Sequence, residues 1–555
     1  MFKRITFYTL VIFSLSQNLF AQDKLLTILE EELQREFKAL SNEDVAPYYI
    51  EYRVGEINIL RMTASFGSLM SFNKNKSRIL SITIRVGDYS LDNTHVSSNQ
   101  FFNPGSHSIN SNIIPIEDEP LAIKNVIWQT TNNAYNNALV NYKQVKDNLK
   151  NENQIPDFST ETPVQYFEEP ISLEFDELKW KDNIKLFSSK FLEDTSIFYC
   201  NVSLDMITNR KYFVSTEKSK IVQNKIYTIL NIIATIRATD GNVIPYFRQY
   251  NTTKLNELPD VDSILSDIDN MIAKLQDLKN APLAEAYTGP AILSAKSAGV
   301  FFHEIFGHRV EGHRMRNIFD GHTYKDKLNT MVLPKYISVN YNPTCEDFQD
   351  KKLIGSYKYD DQGVKSRKVR IVNNGMLENF LMSRQPMEHF MNSNGHGRAQ
   401  AGMSVVSRQS NMFIETSKPL SKETLRKKLI NECKKQNKKY GYYFNEVFGG
   451  FTFTNRYMPN VFNIFPYEVY RIYVDGRPDE LVNGIQLVGT PLLMFSKIEG
   501  TGDNYEIFNG YCGAESGNIP TSTIAPALFI KQIETQKSPG GFIDLPILPR
   551  PDQSK

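Results

Sequence analysis

Cysteine is scarce in this chain: four in 555 residues, at Cys200, Cys345, Cys433 and Cys512, with no C-x-x-C pair among them. That spacing excludes a disulfide framework and argues against a zinc site made of cysteine alone. A surplus of charge is also lacking, since 63 Lys and Arg face 62 Asp and Glu for a formal net charge of +1. No global basic field calls for nucleic acid, and no basic-aromatic motif is present to stack bases. Past the N-terminus, no apolar run reaches the roughly 18 residues that a membrane span needs. The G-x-S-x-G elbow of many serine hydrolases is missing, and no fixed-period repeat appears.

What is present begins with an export signal. Lys3 and Arg4 precede a mostly apolar stretch from Ile5 to Leu15, and Ala21 stands before polar Gln22-Asp23-Lys24. Cleavage after Ala21 is expected, although Leu19 is bulkier than the small residue preferred two positions earlier; the alternative is an uncleaved anchor. Loss of residues 1–21 removes two cations and takes the formal charge from +1 to −1. The expected address is the periplasm or the exterior.

Length alone calls for two or more domains. Leu25 to Leu40 reads as an amphipathic helix. Between Tyr48 and Tyr89, Tyr49–Val54 and Ile82–Val86 alternate as half-buried strands do. Residues 91–116 and 151–170 read as loops, Glu119–Lys150 as a long helix and Leu178–Leu192 as another. Strand patterns return at Ile197–Ile207, Lys211–Ser215 and Lys225–Thr239, and Asp260–Leu278 is helical with Ile264, Ile268, Ile272 and Leu275 on one stripe. Lys279-Asn280-Ala281-Pro282 breaks that helix and sets the expected boundary between domains 22–280 and 281–555. The second half is rich in strands, glycine turns and aromatics, as in Leu377–Met382, Phe451–Phe453 and Val469–Val474. The basic run Arg426–Lys439 reads as a solvated helix face. The fold class is α+β, with mixed helices, antiparallel-type sheets and a β-rich C-terminal domain.

One apolar segment carries chemistry: Phe301-Phe302-His303-Glu304-Ile305-Phe306-Gly307-His308-Arg309-Val310. Two imidazoles and a carboxylate suit a metal-assisted hydrolase, with nitrogen ligands for a divalent cation and a base beside it. The histidines are five apart, not four as in H-E-x-x-H. On a regular helix that is a separation of roughly 140°, against roughly 40° for a four-residue step. Gly307, just before the second histidine, weakens the helix there and would permit a wide π-type turn. The bland alternative is a pair of satisfied core histidines, against which stands the cost of burying an unpaired Glu304. A third ligand is needed. His313 lies ten residues past His303, and Cys512 lies in Tyr511-Cys512-Gly513-Ala514-Glu515-Ser516-Gly517; spacing does not choose between them.

H-E-x-x-x-H followed at a distance by Cys-Gly resembles the TldD/PmbA family of metallopeptidases. Other segments match in order. Tyr359-Asp360-Asp361-Gln362-Gly363-Val364 is similar to the family's Asp-Asp-Glu-Gly turn. Ile371–Leu377 with Asn374-Gly375, Ser407-Arg408-Gln409-Ser410-Asn411, Val474-Asp475-Gly476-Arg477 and Asn483-Gly484 follow. The resemblance covers roughly residues 281–535 closely and the N-terminal half only in layout. It implies that His303, His308 and Cys512 hold a divalent metal, Zn²⁺ first, with Glu304 as the base. It favours Cys512 over His313 and implies peptide or unfolded-protein substrates. It also implies a homodimer, or a heterodimer with a related non-catalytic subunit. Arg408 and Asn411 could bond substrate backbone, with surface or structural roles weighing at least as much. Gln362 departs from the family's acidic residue, and the export signal departs from familiar cytoplasmic members. Competing readings are a non-catalytic metal-binding subunit and an exported amidase acting on cell-wall peptides.

Overall fold

The computed structural model describes residues 23–95, 110–149, 155–238, 243–458 and 461–538, and Pro551. The expected export signal at residues 1–21 lies outside the described residues. Two large sheets divide the rest. The first has seven strands: β1 (Pro47–Ser65), β2 (Ser68–Val86), β3 (Ser111–Ile114), β4 (Gln165–Phe167), β5 (Ile197–Ser215), β6 (Lys220–Arg237) and β7 (Val243–Thr252), in the order β3-β2-β1-β5-β6, with β4 and β7 both on β6. All pairs are antiparallel except β4 with β6.

The alternating sequence explains how this sheet is covered. Even-numbered residues of β1 (Ile50, Tyr52 and Val54, then Met62 and Ala64) face the helices Lys24–Leu40, Pro120–Asn148, Glu177–Ser189 and Val261–Lys279. Odd-numbered residues face the C-terminal half. Arg53 donates to the Met403 carbonyl at 2.9 Å, and a Cβ on Gly55 would lie 2.9 Å from the Ala401 Cβ. Lys211 reaches Asp361 at 2.7 Å, and Gln223 donates to the Tyr359 carbonyl at 2.8 Å. The Asp360–Val364 turn is therefore a seat for the first sheet. Asp360 accepts from the Gln362, Val364 and Gly397 amides, while Gly363, at φ +78°, packs on Phe213. Gln362 keeps an acceptor there, taking the Arg384 N–H at 2.8 Å.

Several local expectations are corrected. Ile197–Ile207 and Lys211–Ser215 form one strand, because the polar residues between them pair with β1 and β6 instead of turning. The loop expected at 91–116 contains edge strand β3, and that at 151–170 contains β4. Leu377–Met382 is mostly not a strand. Met376–Leu377 closes a hairpin on Val369–Asn373 through Asn374 and Gly375 at φ +46° and +85°, and beyond it Leu381 makes an isolated bridge to Glu311. Among the described residues, no helix is long and apolar enough to cross a membrane.

The second sheet has twelve strands and curls on itself. Strand Gly517–Lys537 pairs with Tyr287–Leu293 and with Ile485–Gly489. Those two are joined through Tyr440–Thr452 and Phe462–Tyr473, so five strands form a closed ring. The curl wraps the helix Ala295–Ile305, of which every residue but Lys296 is buried. Phe301, Phe302 and Ile305 share a core with Phe444, Phe462, Leu528 and Ile530. Ser294 caps the helix, accepting the Ser297 N–H at 3.1 Å, and its hydroxyl donates to the Asn445 carbonyl at 2.6 Å.

His396, fully buried beside Tyr341 and Tyr357, gives this half an acid sensitivity. Burial lowers its pKa from 6.5 to about 3. Below pH 6.5 the unfolded chain takes up a proton that the folded chain refuses. The His396 contribution is thus full above pH 6.5 and is lost at roughly 1.4 kcal/mol per pH unit as pH falls toward 3. Urea unfolding at pH 7 and pH 5 should lose less stability in His396→Gln than in the wild type; equal losses would refute this.

Candidate metal centre

The geometry at His303 and His308 starts with how the buried helix stops. Phe306 leaves helical geometry at φ −109°, ψ −51°, and Gly307–Arg309 form one 3₁₀ turn. This corrects the expected π-type turn: the backbone tightens here instead of widening. The cause is Arg309, whose guanidinium donates to the Glu304 and Ile305 carbonyls at 2.8 and 3.2 Å and satisfies acceptors that further helix would have used. Gly307 has a steric reason. A Cβ there would overlap the Gln409 carboxamide, which donates to the His303 carbonyl at 3.4 Å. The break brings the two rings to 5.2 Å between centroids, nearly perpendicular at 87°.

Cys512 arrives from the hairpin Ile498–Ala514 and Gly517–Lys537, in register with Ile519. One ligand atom from each of His303, His308 and Cys512 lies within 4.8 Å of the others, and all three residues are buried. Cys512 Sγ is 3.4 Å from His308 Nε2. A tetrahedral ion with bonds of about 2.0–2.3 Å would hold two such atoms about 3.5 Å apart. Two imidazoles and a thiolate are a donor set for Zn²⁺ and leave a fourth position open. These residues fit a divalent metal. Burial opposes ionisation of the Cys512 thiol, but the adjoining His308 and His303 outweigh it and hold the thiol well below its ordinary range. The thiolate is the ligating form.

Glu304 stands beside this cluster, its Oε2 4.0 Å from His308 Nε2. It is 7% exposed, and burial raises its pKa despite the two imidazoles. That is the direction required of a carboxylate that takes and returns a proton. The strand beside it is shaped for it, since a Cβ on Gly450 would lie 2.9 Å from Glu304 Cγ and 2.7 Å from the Asn463 carbonyl. Gly450→Ala should therefore shift Glu304 and lower the hydrolytic turnover expected of this centre by up to about 10²-fold. Metal content, read by elemental analysis, should not change; unaltered turnover would refute the steric role.

Sequence reasoning missed the layer behind these residues. Glu311 is fully buried and accepts from His308 Nδ1 at 3.3 Å, which turns Nε2 toward Cys512. Burial pushes the Glu311 carboxyl up, but Arg314, His308 and Arg408 overcome this and bring it to about 2. Arg408, also fully buried, donates to the Cys512 carbonyl at 2.7 Å and to Sγ at 3.1 Å, and its Nε is 3.4 Å from Glu311. Asn411 donates to the Cys345 and Asn342 carbonyls. Both residues are thus internal, and substrate backbone has no access to them. The available signal was Glu311 three residues after His308, a spacing that faces the two together. Glu311→Gln should weaken Zn²⁺ binding about 10–100-fold in chelator competition; unchanged affinity would exclude the orienting role. His313 is not in the cluster. Its Nε2 bonds Glu515, which also accepts from Arg314 at 3.1 Å.

Residues 286–537 match the model of the PmbA/TldA metallopeptidase C-terminal domain. A metalloprotease of Methanocaldococcus jannaschii is 26% identical over 424 residues, 74% of this chain and 84% of that protein. The C-terminal half of the chain therefore carries the domain of the TldD/PmbA family. A second TldD/PmbA relative, a zinc metalloprotease TldD homolog of Saccharolobus solfataricus, is 25% identical over 61% of this chain and 70% of its own length. The crystal structure of TldE from Thermococcus kodakarensis superposes with a TM-score of 0.60 at 15% identity, over 92% of this chain and 100% of that one. A putative modulator of DNA gyrase from Thermotoga maritima gives 0.60 at 16%, over 91% and 99%. Both superpositions bear on the fold alone, and they span both halves of the chain.

Proposed function

We propose that this TldD/PmbA protein is an exported metal-dependent peptidase that hydrolyses peptide bonds in unstructured peptides. The observation that carries the reading is the convergence of His303, His308 and Cys512 beside the buried carboxylate of Glu304. In this reading the three ligands hold a divalent metal, Zn²⁺ first, which when bound supplies Lewis acidity to water and to the scissile carbonyl. Glu304 takes the proton released by the attacking water and passes it to the leaving amine. Arg408 and Glu311 keep Cys512 and His308 in place.

Burial of the centre supports the substrate class. His303, Glu304 and His308 are each 7% exposed and Cys512 is 2% exposed, so only a thin, extended chain can approach. The subunit state that goes with this reading is a homodimer, or a heterodimer with a related non-catalytic subunit. The testing experiment is mass spectrometry of a mixed pool of unstructured peptides, incubated with mature protein and Zn²⁺ beside Glu304→Gln. Cleavage by the wild type alone is expected. Absence of cleavage by either would favour the binding-subunit reading.

A further inference from the structure

The basic run at 422–439 belongs to no part of the metal centre. It holds eight Lys and Arg against Glu423 and Glu432. Its helix, Lys422–Lys435, buries Leu425, Leu429 and Cys433 against Ile292, Ile472 and Phe529. The apolar stripe is thus consumed by the fold, and the lysines are left outside. Lys427, Lys434, Lys435 and Lys439 are exposed, while Lys428 and Lys438 lie partly over the Phe529 and Tyr287 rings. Lys427 and Lys434 are seven residues apart, as are Lys428 and Lys435, so each pair forms a row about 10 Å long along the helix.

The neighbouring acids do not neutralise this face. Glu432 is buried and meets Lys435 at 3.6 Å and Lys531 at 3.9 Å, and Asp479 holds Arg426 at 2.6 Å. Among the described residues, Lys427, Lys428, Lys434, Lys438 and Lys439 make no ion pair. Charge of one sign concentrated on one surface, in a chain whose total is near neutral, calls for an anionic partner.

The form of the face selects the partner. The run contains no aromatic residue for stacking bases, and its one arginine is engaged, so bidentate phosphate forks are lacking. A convex helix face offers no groove to a peptide. Hydrated lysine charges on flexible stems suit a planar array of anionic headgroups, held by electrostatics without insertion. The orientation is also suitable. Ile292 and Phe529 point to this helix, whereas Ala291, Leu293, Leu528 and Ile530 point inward to the core around the His303 helix. The lysines and the metal centre therefore lie on opposite faces of one sheet. We propose that the lysine face of helix Lys422–Lys435 attaches the protein to an anionic lipid surface and leaves the metal centre on the far side.

The test is co-sedimentation of the purified protein with phosphatidylglycerol–phosphatidylcholine vesicles and with phosphatidylcholine vesicles alone. Binding is expected to the anionic vesicles only. It should fall steeply with salt as the screening length drops from about 8 Å at 0.15 M to about 3 Å at 1 M. Replacing Lys427, Lys428, Lys434, Lys435 and Lys438 by Gln should weaken it at least about tenfold, with the unfolding midpoint and Zn²⁺ uptake unchanged. The same five positions as Arg should still bind. The proposal is overturned if neutral vesicles bind equally. It is also overturned if the Gln set binds like wild type, if the Arg set fails with it, or if an oligonucleotide binds and vesicles do not.

Discussion

Glu304→Gln is expected to lower peptide hydrolysis by about two to four orders of magnitude while the protein keeps its metal. The substitution is nearly isosteric, so Gln fills the space that Glu304 takes beside Gly450 and His308. What it removes is the ability to accept a proton. None of the three clustered ligand atoms belongs to Glu304, so stoichiometric Zn²⁺ by elemental analysis should persist beside the lost turnover. Activity within a few-fold of the wild type would sink the assignment of Glu304 as base. Loss of both activity and metal would instead make it a ligand.

Removal of Cys512 should have the largest effect on the metal itself. Its thiolate lies 3.4 Å from His308 Nε2 and 3.1 Å from Arg408. Cys512→Ala leaves a two-imidazole site and takes one acceptor from the buried Arg408 guanidinium, which keeps Glu311 and the residue 512 carbonyl, so Zn²⁺ binding should fall below what a chelating indicator can detect. Co²⁺-loaded wild type should show a thiolate-to-metal charge-transfer band in the near ultraviolet that is absent in Cys512→Ala. His313→Ala should retain the band, because His313 is turned to Glu515. A band that survives in Cys512→Ala, or that disappears in His313→Ala alone, would exchange the roles of the two residues.

Much of this was legible beforehand because local pattern reports local structure. The stripe Ile264, Ile268, Ile272 and Leu275 lies on a real helix, Val261–Lys279, with Asp260 as its cap. The alternation at Tyr49–Val54 belongs to a real strand that is covered on both faces. The π-type turn failed for a reason that no window of ten residues contains. The tight break is held by Arg309 reaching back to two carbonyls and by Gln409 pressing on Gly307 from about a hundred residues away. Arg408 was likewise open between substrate, surface and structural roles, because its burial at zero exposure comes from Glu311 and the Cys512 hairpin and not from the pentapeptide around it.

The amino-acid sequence by itself determined which groups this protein has to spend: two histidines and a glutamate within six residues, one cysteine in a glycine-flanked turn and a lysine-dense helix. Their order along the chain was enough to mark the family. Only the tertiary structure decided between His313 and Cys512 as neighbour of the two rings, since the sequence separation from His308 is 5 in one case and 204 in the other. A side chain meets its partner through the register of strands and the closure of the sheet. Those are set by the sum of many apolar burials across the chain, and no single motif contains them.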